Sequence, residues 1–133
     1  IKLPILLNYF LHVDHQLLDQ QAALLYLDYH RAQGSGGLQY SPSGQVITAG
    51  NVAEQMIQWS DNTCTNMLIE QLGGIEALNK HFMSWGLNQT RLRNWLPDLE
   101  GTNTISAYEM ATLLYNLNLN TLLSKPRNLQ ALN

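Results

Sequence analysis

Residues 58–74 read QWSDNTCTNMLIEQLGG and combine a strong helix start with a strong helix end. Asp61 or Asn62 can cap a helix, because their side chains accept hydrogen bonds from the free N–H groups of a first turn. Apolar residues follow at helical spacing, and two glycines end the segment. Ser60, Asp61 and Asn62 stand in a row, although a cap needs only one of them. The remaining side chains are therefore candidates for a functional site.

The opening segment predicts a second, more deeply buried helix. Residues 1–13 are apolar on almost every face, which is typical of a helix enclosed by other helices. Pro4 is tolerated only in a first turn, so this helix is predicted to begin at or just before Ile1. It would be the central helix of its domain.

The rest of the chain predicts helices joined by polar loops. Ser106 and Glu109 form a capping-box pattern ahead of an apolar run. No segment alternates with a period of two, and no repeat or linker divides the chain. We therefore predict one all-α domain over residues 1–133. Its further elements are predicted helices around 51–59, at 75–85 with Gly86 as the stop, and after Ser106, with an extended loop at 33–50.

Composition excludes several function classes. A net charge of −3 and 13% charged residues give no basic surface for nucleic acid. No apolar run approaches the roughly 20 residues of a membrane span. The lone Cys64 excludes a disulfide framework and is predicted to be a small buried residue. The histidines lack the spacing of a zinc motif and the glycine-rich run at 34–37 is interpreted as a turn, so no metal or cofactor is predicted.

Several segments resemble the superfamily of class A β-lactamases and penicillin-binding proteins, whose motifs are S-x-x-K, S-D-N and K-T-G. One is IKLPILL, which is similar to the segment after the nucleophilic serine and makes Lys2 the lysine of S-x-x-K. Another is MIQWSDNTCTNMLIEQLGG, around the S-D-N motif. The family's cleft-edge loop resembles LQYSPSG, and its Ω-shaped active-site loop and following helix resemble TRLRNWLPDLEG and SAYEMATLLYNL. The similarity runs in order along nearly the whole chain.

This resemblance implies the helical lobe of the β-lactamase and D,D-peptidase fold. In that α+β fold, an antiparallel sheet lobe is made from the two chain ends, and the active site lies between the lobes. By this alignment, the nucleophilic serine stands two residues before Ile1. Asn133 falls within a helix that resembles one preceding K-T-G in the family. We therefore expect the sheet lobe, contributed by the remainder of the same protein, to be the partner of this chain.

The resemblance also implies roles for individual residues. Lys2 and Ser60 are the expected catalytic residues, the first as base for the serine hydroxyl and the second as relay of a proton to the leaving nitrogen. Asn62 is expected to bind the acyl-side amide of the substrate. Tyr40 is expected to shape the cleft rim, with a half-buried loop tyrosine as the alternative. Asp61 is expected to tie the loop through backbone hydrogen bonds.

One departure from the class A pattern bears on the reaction. Class A β-lactamases carry W-E-P-x-L-N, whose glutamate activates the deacylating water, whereas residues 95–100 read WLPDLE. Leu96 replaces the glutamate and cannot accept a proton, so an acyl-enzyme should form and hydrolyse slowly. Asp98 and Glu100 are the alternative sources of a base. Leucine in this frame is most similar to the cyanobacterial penicillin-binding protein A group.

Three functions are compatible with these observations. The preferred one is an exported, periplasmic or cell-envelope penicillin-binding D-alanyl-D-alanine carboxypeptidase or related D,D-peptidase. It would act through an acyl-enzyme on peptidoglycan stem peptides and would be acylated by β-lactams. The second is a class A β-lactamase that hydrolyses these antibiotics. The third is a helical module that binds a peptide or partner and catalyses nothing.

Overall fold

The computed structural model describes residues 1–119, 127, 130 and 131. Asn133, which the resemblance places within a further helix, lies outside the described residues. Two short strands, β1 (Ala23–Leu25) and β2 (Val46–Thr48), accompany the helices, together with 3-10 turns at Asp28–His30 and Leu38–Tyr40. The described α-helices are α1 (Lys2–Asp14), α2 (Ala49–Gln58), α3 (Asn62–Gln71), α4 (Ile75–Ser84) and α5 (Ala107–Asn118). None of these helices is long and apolar enough to cross a membrane.

The predicted helical architecture is confirmed, with one addition. β1 and β2 form an antiparallel pair in which Leu24 lies opposite Ile47. The sequence analysis missed this pair because three-residue strands are too short to show a period of two. The predicted extended loop over 33–50 is therefore wrong at its end, where β2 and the first residues of α2 lie.

α1 is the central helix that its composition predicts. Ile1 is its N-cap, and Pro4 lies in its first turn. The helix packs against α2, α3 and α4. This packing places the Lys2 end of α1 beside the start of α3. The fully buried large side chains of α1 and of the elements around it include Ile5, Leu7, Met56, Leu68, Ile69, Leu72 and Leu78.

α3 begins and ends where the sequence predicts. Asp61 is the N-cap, and its Oδ1 accepts a hydrogen bond from the Cys64 N–H at 2.9 Å. Gly73, just beyond the helix, has a φ of +101°, which residues with a side chain rarely adopt. Cys64 is fully buried, as predicted, and this burial raises the pKa of its thiol. The thiol is therefore a packing group.

Residues 91–104 form a closed loop between α4 and α5, which we call the Ω-like loop. Its neck is closed where Arg91 and Thr104 exchange backbone N–H···O bonds of 2.8 and 2.9 Å. Inside the neck, the Asn79 side chain accepts from the Leu92 N–H and donates to the Leu92 carbonyl, at 2.8 Å in both cases. The loop is thus joined to α4.

The capping-box prediction at the start of α5 is half correct. Ser106 is the N-cap, and its Oγ accepts from the Glu109 N–H at 3.0 Å. In a full capping box the Glu109 carboxylate would also accept a hydrogen bond from the Ser106 N–H, and here it does not. It accepts instead from the Gln89 N–H, at 2.8 Å, and from the Thr90 hydroxyl. This buried carboxylate therefore anchors the chain just before the Ω-like loop.

Candidate active site

The first residue of α1 meets the residues around the start of α3. Lys2 Nζ lies 2.8 Å from Ser60 Oγ and 2.9 Å from Asn62 Oδ1. It also donates to the Ser60 carbonyl oxygen. Lys2 and Ser60 are 58 positions apart in the chain, so only the packing of α1 against α3 brings them together. Three of the four predicted site residues thus form one hydrogen-bonded cluster.

Ser60 has an unusual backbone conformation that orients it toward Lys2. Its φ of +54° lies in the left-handed region, which is uncommon for residues other than glycine. As a result, its hydroxyl and its carbonyl both face the Lys2 amine. Such conformations cost energy and cluster at functional sites. The strain is therefore consistent with a functional role for Ser60.

The protonation state of Lys2 is set by two opposing effects. Burial disfavours the ammonium and lowers the pKa of the amine below its ordinary value of 10.5. The nearby Asp61 carboxylate opposes this effect and favours the ammonium. An ammonium donates to the surrounding oxygens, whereas a neutral amine can accept the Ser60 hydroxyl proton. The pair can therefore pass a proton in either direction.

Each residue of the Ser-Asp-Asn triplet contacts a different part of the molecule. Ser60 faces Lys2. Asp61, only 1% exposed, caps α3 and also accepts from the Leu38 N–H at 3.0 Å, so it ties the loop as predicted. Asn62 directs its oxygen to Lys2 and donates from Nδ2 to the Gln33 carbonyl at 3.0 Å. A single capping residue could not make all of these contacts.

Asn66 is a structural neighbour of the site that the sequence analysis missed. It is 1% exposed, and its Oδ1 accepts from the Leu96 N–H at 2.8 Å. Its Nδ2 donates to the Leu96 carbonyl at 2.7 Å and to the His30 carbonyl at 3.1 Å. The available signal was its i, i+4 spacing from Asn62, which places both amides on one face of α3. Asn66 fixes the Leu96 backbone relative to the cluster.

The Ω-like loop presents no free proton acceptor at position 96. The side chain of Leu96 is a hydrocarbon and cannot act as a base. The Asp98 carboxylate accepts from the Asn103 N–H at 2.6 Å and from the Thr102 hydroxyl at 2.7 Å. These bonds lower the Asp98 pKa. A carboxylate held in its charged form is a weaker base, so the loop disfavours Asp98 as a substitute.

Tyr40 stands apart from the three clustered residues. It ends the 3-10 turn Leu38–Tyr40, and its side chain is 83% exposed, so the half-buried alternative is wrong. The structure shows no hydrogen bond from this side chain to Lys2, Ser60 or Asn62. The turn is nevertheless tied to α3, because the Leu38 N–H donates to Asp61. A role for Tyr40 at the rim of the site stays a prediction.

A comparison with protein families identifies the superfamily. Residues 1–133 match the model of the beta-lactamase enzyme family. The chain belongs to this family. The match includes Lys2, the Ser60–Asn62 triplet and the Ω-like loop. The predicted membership of the β-lactamase and penicillin-binding protein superfamily is therefore confirmed. Beta-lactamase-family and penicillin-binding relatives are serine hydrolases, and the chain has the helical lobe of their fold.

Solved structures of relatives match the chain over almost its full length. The structure of PBP-A is 40% identical with a TM-score of 0.95, and the match covers 97% of this chain and 49% of that one. A PBP-A mutant with glutamate in place of a leucine, in an acyl-enzyme complex with penicillin G, is 41% identical with a TM-score of 0.94 over 96% of this chain and 48% of that one. The predicted fold is confirmed.

Sequence relatives match shorter stretches. A beta-lactamase of Streptomyces cellulosae is 33% identical in an alignment of 86 residues that covers 60% of this chain and 28% of that protein. Beta-lactamase SME-1 of Serratia marcescens is 42% identical over 53 residues, 39% of this chain and 18% of that protein. This chain therefore corresponds to about half or less of the length of the relatives that it matches.

Proposed function

We propose that the protein carrying this lobe is a penicillin-binding D-alanyl-D-alanine carboxypeptidase or related D,D-peptidase. Its substrate would be a peptidoglycan stem peptide, which β-lactams would mimic by acylating the same serine. The observation that carries the proposal is a contrast within the site. Lys2 is hydrogen-bonded to both Ser60 and Asn62, as acylation requires. Position 96, where class A β-lactamases carry the deacylating glutamate, is a leucine. Export to the periplasm or cell envelope follows from the substrate.

Acylation uses the cluster together with a sheet lobe from the remainder of the same protein. A serine of that remainder attacks the carbonyl carbon, and its proton passes to a neutral Lys2 amine. Ser60, which is 2.8 Å from that amine, passes a proton to the nitrogen of the departing group. Asn62 binds the acyl-side amide through the N–H that it does not donate to Gln33. The products are an ester on the serine and a free amine.

Deacylation needs a base that takes a proton from water. Such a base contributes typically about 10² to 10⁴ in rate. Leu96 offers none, and Asp98 is engaged within its own loop. An adduct with a β-lactam is therefore expected to persist. Covalent inhibition by penicillins is the outcome that this contrast supports.

A class A β-lactamase is the second candidate. Its support is that the sequence relatives from Streptomyces cellulosae and Serratia marcescens are beta-lactamases. Against it stands Leu96, since efficient turnover needs a general base near the ester. The exposed Glu100 would have to supply that base through a different geometry.

The lifetime of a penicillin adduct tests the proposal. The protein with both lobes is incubated with benzylpenicillin, and its intact mass is followed with time. A long-lived adduct is expected, whereas rapid consumption of antibiotic without an accumulating adduct would support a β-lactamase instead.

Leu96→Glu sharpens this test by supplying the missing base. The adduct lifetime should shorten by about tenfold or more, because part of the general-base contribution returns. Leu99→Glu is the matched control, because Leu99 lies in the same loop and is 89% exposed. If both variants, or neither, shorten the lifetime, the assignment of Leu96 to the base position is wrong.

A further inference from the structure

The glycine-rich run that the sequence analysis interpreted as a turn lies directly against the start of α3. We call residues 34–37 the glycine loop. The Ser35 carbonyl accepts from the Asn62 N–H at 3.0 Å. The Gln33 carbonyl, which immediately precedes the loop, accepts from Asn62 Nδ2, also at 3.0 Å. Both the backbone and the side chain of Asn62 are therefore held by this segment.

Two glycines of the loop are required by their backbone angles and by close approach. Gly34 has a φ of +106° and Gly36 a φ of +97°, where residues with a side chain are strained. A Cβ at Gly34 would lie 2.8 Å from Asn62 Nδ2, and a Cβ at Gly36 would lie 2.2 Å from Asp61 Cγ. These distances are far inside ordinary contact. The loop can approach α3 only because both positions are glycine.

This approach determines which way the Asn62 amide points. The Gln33 carbonyl can only accept a hydrogen bond, so the group of Asn62 that faces it must be the NH₂. The amide oxygen is then directed at Lys2 Nζ, 2.9 Å away. The reverse orientation would set an oxygen against the Gln33 oxygen and an NH₂ against the Lys2 amine.

We propose that the glycine loop is a positioning element that fixes the Asn62 amide and, through it, the Lys2 amine. Gly34 is its critical residue, because a larger side chain would displace Asn62 Nδ2 from the Gln33 carbonyl. The loop is held in turn by Gln39, whose Nε2 donates to the Gly34 carbonyl at 2.6 Å and to the Gly36 carbonyl at 2.9 Å. The predicted effect on acylation rests on the proposed function, whereas the geometry does not.

Gly34→Ala in the protein with both lobes is the direct test. The rate of acylation by benzylpenicillin is measured above the Lys2 pKa, where the amine is neutral in every variant, and is corrected for the folded fraction. It should fall about tenfold, roughly the effect of one lost hydrogen bond, because the displaced Asn62 amide no longer binds the substrate amide or holds the Lys2 amine in place. Gly44→Ala is the matched control, because Gly44 has a similar φ of +93° but a Cβ there would contact nothing within 4 Å. Equal losses in the two variants would assign the effect to backbone strain and overturn the proposal.

A double variant shows whether Gly34 acts through Asn62. Asn62→Ala removes the atom that a Cβ at Gly34 would meet. In that background, Gly34→Ala should lower the rate by less than about twofold further. A full tenfold loss in both backgrounds would overturn the proposal. If Gly34→Ala alone does not fold, the double variant should recover the fold, and failure to recover it would contradict the proposed clash.

Titration of the Lys2 amine by NMR separates this proposal from the proposed function. Displacing Asn62 Oδ1 removes an acceptor that favours the ammonium, so Gly34→Ala should lower the Lys2 pKa relative to the unsubstituted protein. Gly44→Ala should leave that pKa unchanged. If benzylpenicillin does not acylate the unsubstituted protein, the proposed function fails, and the titration still tests the positioning. An unchanged Lys2 pKa in Gly34→Ala would overturn the positioning role.

Discussion

The start of α3 and the Ω-like loop both border the candidate site, but they are held together in different ways. At α3, hydrogen bonds join residues that are distant in the chain, such as Lys2 and Ser60, which are 58 positions apart. In the loop, hydrogen bonds join close neighbours, such as Asp98 and Thr102, which are four positions apart. The α3 region carries groups that can move protons, whereas the loop presents Leu96. This difference supports the proposed function, in which an acyl-enzyme would form readily and break down slowly.

The same chemical group has different surroundings in the two regions. Asp61 accepts hydrogen bonds from two backbone N–H groups, whereas Asp98 accepts one from a backbone N–H and one from a hydroxyl. Asp61 is 1% exposed and joins two separate segments, whereas Asp98 is partly exposed and bonds only within its loop. Asn66 connects the two regions by bonding the Leu96 backbone. The contrast can be tested by removing one group at a time.

The largest effect is expected at the amine of the α3 region. Lys2→Met keeps a long apolar side chain and loses the proposed base. Acylation by benzylpenicillin should slow by about 10² to 10⁴, the usual contribution of general-base catalysis. Time-resolved intact-mass measurement gives the rate. Lys80→Met is the control, because Lys80 is an exposed lysine of α4 and should leave the rate unchanged. An undiminished rate in Lys2→Met would remove the amine from the mechanism.

The two aspartates give a matched pair for stability. Asp61→Ala leaves the buried N–H groups of Cys64 and Leu38 without their acceptor, so the free energy of unfolding should fall by about 3 kcal/mol. Asp98→Ala should cost clearly less, because water can reach the partners in its partly exposed loop. Urea denaturation measures both. Equal losses would show that the two regions are held equally firmly, which would contradict the difference between them.

The smallest effect is a shift in the pH at which acylation rises. Because burial lowers the Lys2 pKa, more neutral amine is present at a given pH than for an ordinary lysine. Below that pKa, acylation should rise about tenfold per pH unit, and above it the rate should level off. Asp61→Asn removes the charge that favours the ammonium. It keeps one oxygen for the Cys64 N–H but turns an NH₂ toward the Leu38 N–H, so rates are compared for the folded fraction, and the rise should move to lower pH. Rates between about pH 6 and pH 10 measure this shift. A flat profile would contradict a titrating base.

The predicted helix boundaries were correct where a local interaction sets them. Asp61 caps α3, Ser106 caps α5, and Gly86 follows the end of α4, as the sequence indicates. Each signal acts within about one turn of helix, so it can be read from neighbouring residues. The meeting of Lys2 with Ser60 was expected only from the family resemblance. The spacing of these residues in the chain says nothing about their distance in space.

The sequence by itself determined the helices, their caps and the presence of leucine instead of glutamate at position 96. Only the tertiary structure decided that Asn66 holds Leu96, that Glu109 bonds to Thr90 and that Gly34 faces Asn62. Caps depend on a few adjacent atoms, and apolar periodicity shows which face of a helix is buried. Contacts between distant segments depend on how all the helices pack together, and no short pattern in the chain records that arrangement.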